Sequence, residues 1–281
     1  MKNIITTFII IFSFLFFVSC DEDFFKKEID PPHLATTPQC VVQSYLSPDN
    51  EELSVSLHWS NPIFKTETEI LENKVIKNAS VKLFNSSGKS VQLFLDDSRQ
   101  KYVADKQDFT INEKENYKLE VEIPNTQKVT ANCEIPKKIQ SEIQNIRVLE
   151  TSDGGGNAYQ VIFEFDDIPN EKNYYLAKIE AQGGFGNNTL KVQPFTDFNQ
   201  DGKKILVRSQ KIPGNIYSHS RIKVDLFSVD KSFYDYKRTV LQQEESVDLG
   251  SFAEPVFIIS NINNGLGVFG GYTKTSKTKE L

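Results

Sequence analysis

Two short stretches carry residue types and spacings that chemistry uses. Asp197-Phe198-Asn199-Gln200-Asp201-Gly202 sets oxygen ligands at positions one, three and five and a glycine at six, the opening of an EF-hand-like calcium loop. Calcium favours such a loop because it takes six to eight oxygens around a sharply turned backbone. The twelfth position, however, is Arg208, where a bidentate carboxylate belongs, so Asp197, Asn199 and Asp201 also read as a polar turn between Phe195 and Ile205. Gly265-Leu266-Gly267-Val268-Phe269-Gly270 fits the G-x-G-x-x-G dinucleotide fingerprint, yet only eleven residues follow Gly270. A helix with its anion-binding N-terminus and a further strand do not fit there, and the glycines read as a tight turn and close backbone packing.

The remaining polar candidates are sparse. The three histidines are His33, His58 and His219; no G-x-S-x-G elbow, H-E-x-x-H or helical His pair accompanies them. His58 alternates with Leu57 and Trp59, which puts it on the wet face of a strand. His219, between Ser218 and Ser220, is the one candidate for nucleophilic chemistry and otherwise reads as a loop residue. The carboxylate pairs Asp96-Asp97 and Asp166-Asp167 fall at strand ends, where solvated turns are expected rather than an acid/base dyad. Phe185, flanked by glycines in a polar loop, either stacks on a ligand or partner or folds back over its own sheet.

Position separates the three cysteines. Cys20 ends an apolar run, Phe8 to Val18, that follows Lys2 and is too short for a bilayer span of about 20 residues. Phe17-Val18-Ser19-Cys20, followed by Asp21-Glu22-Asp23, resembles a bacterial lipobox, in which the cysteine is lipidated and becomes the new N-terminus; Phe17 departs from the leucine usual at that position. Acyl chains then anchor the protein without a transmembrane helix. Cys40 and Cys133 remain, an even pair in a compartment where disulfides persist. A bridge across that loop of 94 residues would contribute ~4–5 kcal/mol in the chain-entropy picture; the alternative is two buried free thiols. No cysteine or histidine spacing matches a zinc site.

Composition excludes other classes. With 32 Lys+Arg against 38 Asp+Glu and a net charge of −6 over 281 residues, the chain lacks the clustered basic excess that phosphate neutralisation needs, so no nucleic-acid partner is expected. Removing residues 1–19 takes away Lys2 and no acid, leaving 31 basic and 38 acidic residues, a net of −7. At 38% hydrophobic, the chain has enough apolar surface to fold.

The elements that must position these residues are mostly strands. Leu53-Val55-Leu57-Trp59, Val91-Leu93-Leu95, Tyr117-Leu119-Val121-Ile123, Tyr159-Val161-Phe163-Phe165 and Ile222-Val224-Leu226 alternate with polar residues, the period of sheets with one wet face. Ile135-Pro136-Lys137-Lys138 breaks the pattern. Within Lys231–Glu244, Phe233, Tyr236, Val240 and Leu241 share a helical face, and Asp230 is placed to cap it. Pro255 to Ile259 and Val268 to Tyr272 read as a closing strand pair. The expected fold is mainly all-β: two consecutive immunoglobulin/fibronectin-like β-sandwich domains, with one amphipathic helix in the second. The expected organisation is a signal peptide at 1–19, a lipidated stalk at 20–38, one sandwich at 39–136, and a second at 137–281 with its helix near 231–244.

Ser260-Asn261-Ile262-Asn263-Asn264-Gly265-Leu266-Gly267-Val268-Phe269-Gly270-Gly271-Tyr272 resembles the C-terminal signature of the Bacteroidota lipoprotein family known as domain of unknown function 4249. Tyr234-Asp235-Tyr236, Asn78-Ala79-Ser80-Val81, Asn116-Tyr117-Lys118-Leu119 and the Cys20 lipobox agree with it. The resemblance implies an outer-membrane, surface-exposed lipoprotein with a TonB-dependent transporter as partner and no established reaction. The expectation is therefore a non-enzymatic binding or accessory subunit without a resident cofactor, calcium being the one candidate ion. The alternatives are a structural or adhesive envelope protein, and a hydrolase.

Overall fold

Alternation in the sequence becomes alternation of burial. In β1 (Cys40–Leu46) and β2 (Glu52–Trp59) every second residue turns inward, so Val42, Leu46, Leu53, Val55 and Leu57 are buried. The same period builds β3 (Ser80–Asn85), β4 (Ser90–Asp96), β5 (Lys101–Asp105), β6 (Asn116–Glu122) and β7 (Val129–Glu134). The computed structural model describes residues 38–61, 75–153, 156–183, 186–213, 219–247 and 256–281. Local chemistry fixes the turns between strands. Gly88, at φ +83°, lets its N–H reach the Asn85 carbonyl at 3.0 Å, while Asn85 Oδ1 accepts the Lys89 N–H at 2.9 Å. At the entry to β6 the Tyr117 hydroxyl accepts the Asn112 N–H at 2.8 Å, five residues upstream, in the manner of the tyrosine corner of immunoglobulin-like sandwiches.

The second half adds β8 (Gln144–Asp153), β9 (Gly156–Asp166), β10 (Tyr174–Gly183), β11 (Gly186–Leu190), β12 (Phe195–Thr196), β13 (Lys204–Arg208), β14 (Ile212–Pro213), β15 (His219–Val229) and β16 (Leu266–Glu280). Among the described residues, one continuous path of pairing runs β11-β10-β15-β16-β1-β2-β5-β4-β3-β6-β7, with β12 beside β10; β8, β9, β13 and β14 form a separate sheet. Two buried clusters result. One gathers residues 40–135 with Ile262 and Phe269; the other gathers residues 139–226, where Phe163 and Phe165 of β9 meet Tyr175 and Ile179 of β10. The protein is thus an all-β sandwich fold, as the alternation predicts, and its single described helix, α1 (Lys231–Val247), begins where expected and extends three residues beyond Glu244. Asp230 caps it, accepting the Phe233 N–H at 2.8 Å.

The buried clusters part between Ile135 and Ile139, at the Pro136-Lys137-Lys138 break, yet the second segment does not stay on its own side. β16 runs parallel to β1 from Leu266 to Gly271 and then antiparallel to β15 from Tyr272 to Glu280. Its first half adds Phe269 to the first core, its second half extends the sheet at β15, and residues Pro38–Leu281 form one compact unit. The sequence shows only one apolar run there, and one strand serves both sandwiches.

Two expectations are corrected. Val256 to Ile259 is not a strand; Phe257 is 91% exposed and β16 pairs with β1 and β15 instead. Cys40 and Cys133 are both buried free thiols rather than a bridge. A Cβ on Gly265 would meet the Cys40 carbonyl at 2.7 Å and Val129 at 3.4 Å, so Cys40 is level with the start of β7, and Cys133 lies four residues farther along that strand. At about 3.3 Å per residue that is roughly 13 Å, beyond the Cα separation of about 7 Å that a bridge tolerates.

Candidate functional site

The glycine-rich signature is a closure device. A Cβ added to Gly267, at φ +106°, would lie 2.0 Å from the Val42 carbonyl oxygen, and one on Gly271 would lie 2.2 Å from that of Glu134. Bare backbone at these positions lets β16 pass between β1 and β7. The asparagines before it supply what a regular ladder would. Asn263 exchanges backbone hydrogen bonds with Thr130, Asn264 Nδ2 donates to the Lys128 carbonyl at 2.9 Å, and Asn261 Nδ2 donates to the carbonyls of Asn132 at 3.0 Å and Phe269 at 2.7 Å. Residues 261–264 thereby cover the β7 edge of the first sandwich. The segment is extended backbone and strand, with no helix to receive a pyrophosphate.

The calcium-like loop gathers carboxylates, in a different set from the one its spacing suggests. Oxygens of Asp197, Asp201 and Asp167 lie within 4.8 Å of one another, and Asn199, in the same loop, is exposed at φ +62°. Asp167, expected in a solvated turn, is 6% exposed. Each carboxylate already accepts hydrogen bonds: Asp167 from the Tyr175 hydroxyl and from Gly202 N–H at 2.8 Å, Asp197 from Asn173 N–H at 3.0 Å, and Asp201 from Asn170 N–H at 2.9 Å. Burial, followed by the nearby Asp197 charge, pushes the Asp167 carboxyl above its usual range. The trio ties the β12–β13 loop to the β9–β10 loop, and it offers three of the six to eight oxygens calcium takes. Arg208 is exposed on β13 and contributes none. Sequence spacing misses Asp167 because it arrives from thirty residues upstream; only its place at the end of β9, beside exposed Asp166, hinted at a role.

A groove of about 1120 Å³ lies on the outer face of β1, β2, β5 and β4. Ser54 and Ser56 form a low floor, and Phe94, 69% exposed, stands at the β4 side opposite Tyr45 and Tyr272. Its rim is charged and largely self-paired. Arg99 binds Glu52 at 2.8 Å and Asp96 at 2.6 Å, and Asp96, held also by Ser98, sits well below the usual carboxylate range because of these hydrogen bonds.

Other candidates separate cleanly. His58 is half-buried, its imidazole pKa lowered by burial, and bridges to Val75 through its backbone. His219 begins β15 opposite Gly183. Cys20, His33 and Phe185 lie outside the described residues. Burial raises the Cys40 thiol to about 11 and holds the Cys133 thiol well above its usual range, so neither is a thiolate nucleophile. The described residues hold no helix long and apolar enough to cross a membrane. No curated protein matches the chain. The family model described as domain of unknown function (DUF4249) matches residues 26–278, so the closure signature, the helix and both sandwiches lie within it, and the chain belongs to that family.

Proposed function

We propose that the protein is a lipid-anchored outer-membrane lipoprotein acting as a non-enzymatic binding or accessory subunit, with a TonB-dependent transporter as its partner. The anchor is Cys20, and the proline-containing segment to residue 38 is the tether that keeps the sandwiches at the membrane and raises their local concentration over a transporter mouth. The observation that carries a protein partner is a preformed apolar projection. Phe257, Ile258 and Ile259 are exposed at 91%, 48% and 41%. Their backbone is nevertheless held to α1, where Gln243 Oε1 accepts the Val256 N–H and Thr239 Oγ1 the Ile259 N–H, both at 3.0 Å. A fixed apolar tip of this kind suits insertion into another protein.

Solubilised membranes test the reading. A barrel protein should co-purify in stoichiometric amount, and Phe257→Asp should release it while the lipoprotein stays in the membrane fraction. Recovery of the chain alone from wild-type membranes would favour a structural or adhesive role instead.

A further inference from the structure

A second cavity, of about 410 Å³, opens between α1 and the sheet beneath it. Tyr175 and Ile179 of β10 point into the core, which turns Leu176 and Lys178 to the opposite face. There Leu176 is registered with Phe227 of β15, and Tyr272 and Tyr45 continue the surface onto β16 and β1. The helix faces them with Phe233, Lys237 and Leu241, one residue per turn. Its first turn is pinned, since a Cβ on Gly270 would come within 2.7 Å of Phe233. Aromatic contacts, Tyr45–Phe233 at 4.5 Å and Phe227–Tyr272 at 5.8 Å, fix the walls.

The lining is apolar apart from tyrosine hydroxyls and two ammonium groups, and among the described residues no acidic side chain contributes to it, although residues 20–281 carry a net charge of −7. Lys178 is ion-paired with Glu180. Lys237 stands over the Tyr45 ring, 5.9 Å from its centroid, at the side of the cavity. We propose that this cavity binds a small amphipathic organic anion, an aromatic or single-chain aliphatic body seated against Leu176, Phe227 and Leu241 with its carboxylate or sulfonate on Lys237. The volume is that of one small ligand and does not hold a two-chain lipid. The inference goes beyond the accessory-subunit reading and is tested on the chain alone, so loss of a co-purifying barrel leaves it untouched.

The chain from residue 20, with Cys20→Ala, is titrated with 1-anilinonaphthalene-8-sulfonate as the anion and N-phenyl-1-naphthylamine as its neutral counterpart. Saturable binding of both is expected, with dodecanoate below its micelle concentration displacing the sulfonate and phosphatidylglycerol vesicles leaving it in place. Lys237→Gln should weaken the sulfonate about fivefold and leave the neutral probe within about twofold. Leu241→Trp and Leu176→Trp, each checked for a cooperative melt, should exclude both probes. Absence of saturable binding, equal effects of Lys237→Gln on the two probes, unchanged binding to a folded cavity-filling variant, or displacement by vesicles would each overturn the proposal.

Discussion

Asn261 holds Phe269 at both of its backbone groups: its amide nitrogen donates to the Phe269 carbonyl at 2.7 Å and its amide oxygen accepts the Phe269 N–H at 3.0 Å. The same nitrogen reaches the Asn132 carbonyl on β7. One side chain thus clasps β16, whose Phe269 ring is buried in the first core, to the strand across from it. Asn261→Ala should lower unfolding free energy by about 1–3 kcal/mol, read as a lower urea midpoint with an unchanged m-value. Asn261→Asp, which keeps an acceptor and loses both donations, should cost at least as much.

The glycines of the signature differ from ordinary turn glycines in what surrounds them. Gly267→Ala drives a methyl into the Val42 carbonyl and should prevent accumulation of folded protein. Gly88→Ala, at φ +83° with open space around it, carries only the conformational penalty of roughly 1–2 kcal/mol. Thermal melts of the two variants separate packing from backbone preference.

Both remaining cysteines should resist alkylation in the native protein and react together, without reductant, once it unfolds. A peptide pair linking Cys40 to Cys133 under non-reducing mass spectrometry would contradict the free-thiol arrangement.

Asp230 couples stability to pH. Its carboxyl is raised to about 7, with burial the largest cause. In the unfolded chain it titrates near 4. Between those values the folded state binds more protons, so this group's contribution is fully present below about pH 4 and declines as pH rises to about 7. Asp230→Asn keeps an oxygen for the Phe233 N–H and removes the titration. The variant should melt higher than wild type at pH 8, with the difference shrinking toward pH 5; an undiminished difference would contradict the burial argument.

Because each carboxylate of Asp167, Asp197 and Asp201 accepts a hydrogen bond from the chain, millimolar calcium or a chelator should leave the melting midpoint within about 1 °C. A calcium-dependent rise that disappears in Asp201→Asn would make the trio a metal site.

What the sequence made legible follows from distance along the chain. Period-two alternation, the helix and the Asp230 cap depend on neighbours within a few residues, and each is found where the pattern put it. The acidic trio was half visible, because Asp197 and Asp201 share a loop while Asp167 joins them only through the register of β9 against β13. Pro255 to Ile259 has strand composition and so reads as a strand, but the backbone N–H groups of Val256 and Ile259 go to side chains of α1 instead. The cavity under α1 left no local trace, since its walls come from five separate elements.

The strand that pairs with both β1 and β15 is made after either of them. A chain emerging N-terminus first, from a ribosome or a translocation pore, holds β1 and β15 without the partner that lies between them until residues 266–280 arrive. The pairing that joins β1 to β15 therefore waits for residues 266–280, while the hairpins on either side of it need no part of that strand. A chain cut short before Leu266 would keep two open edges, at β1 and β15, suited to proteolysis rather than assembly.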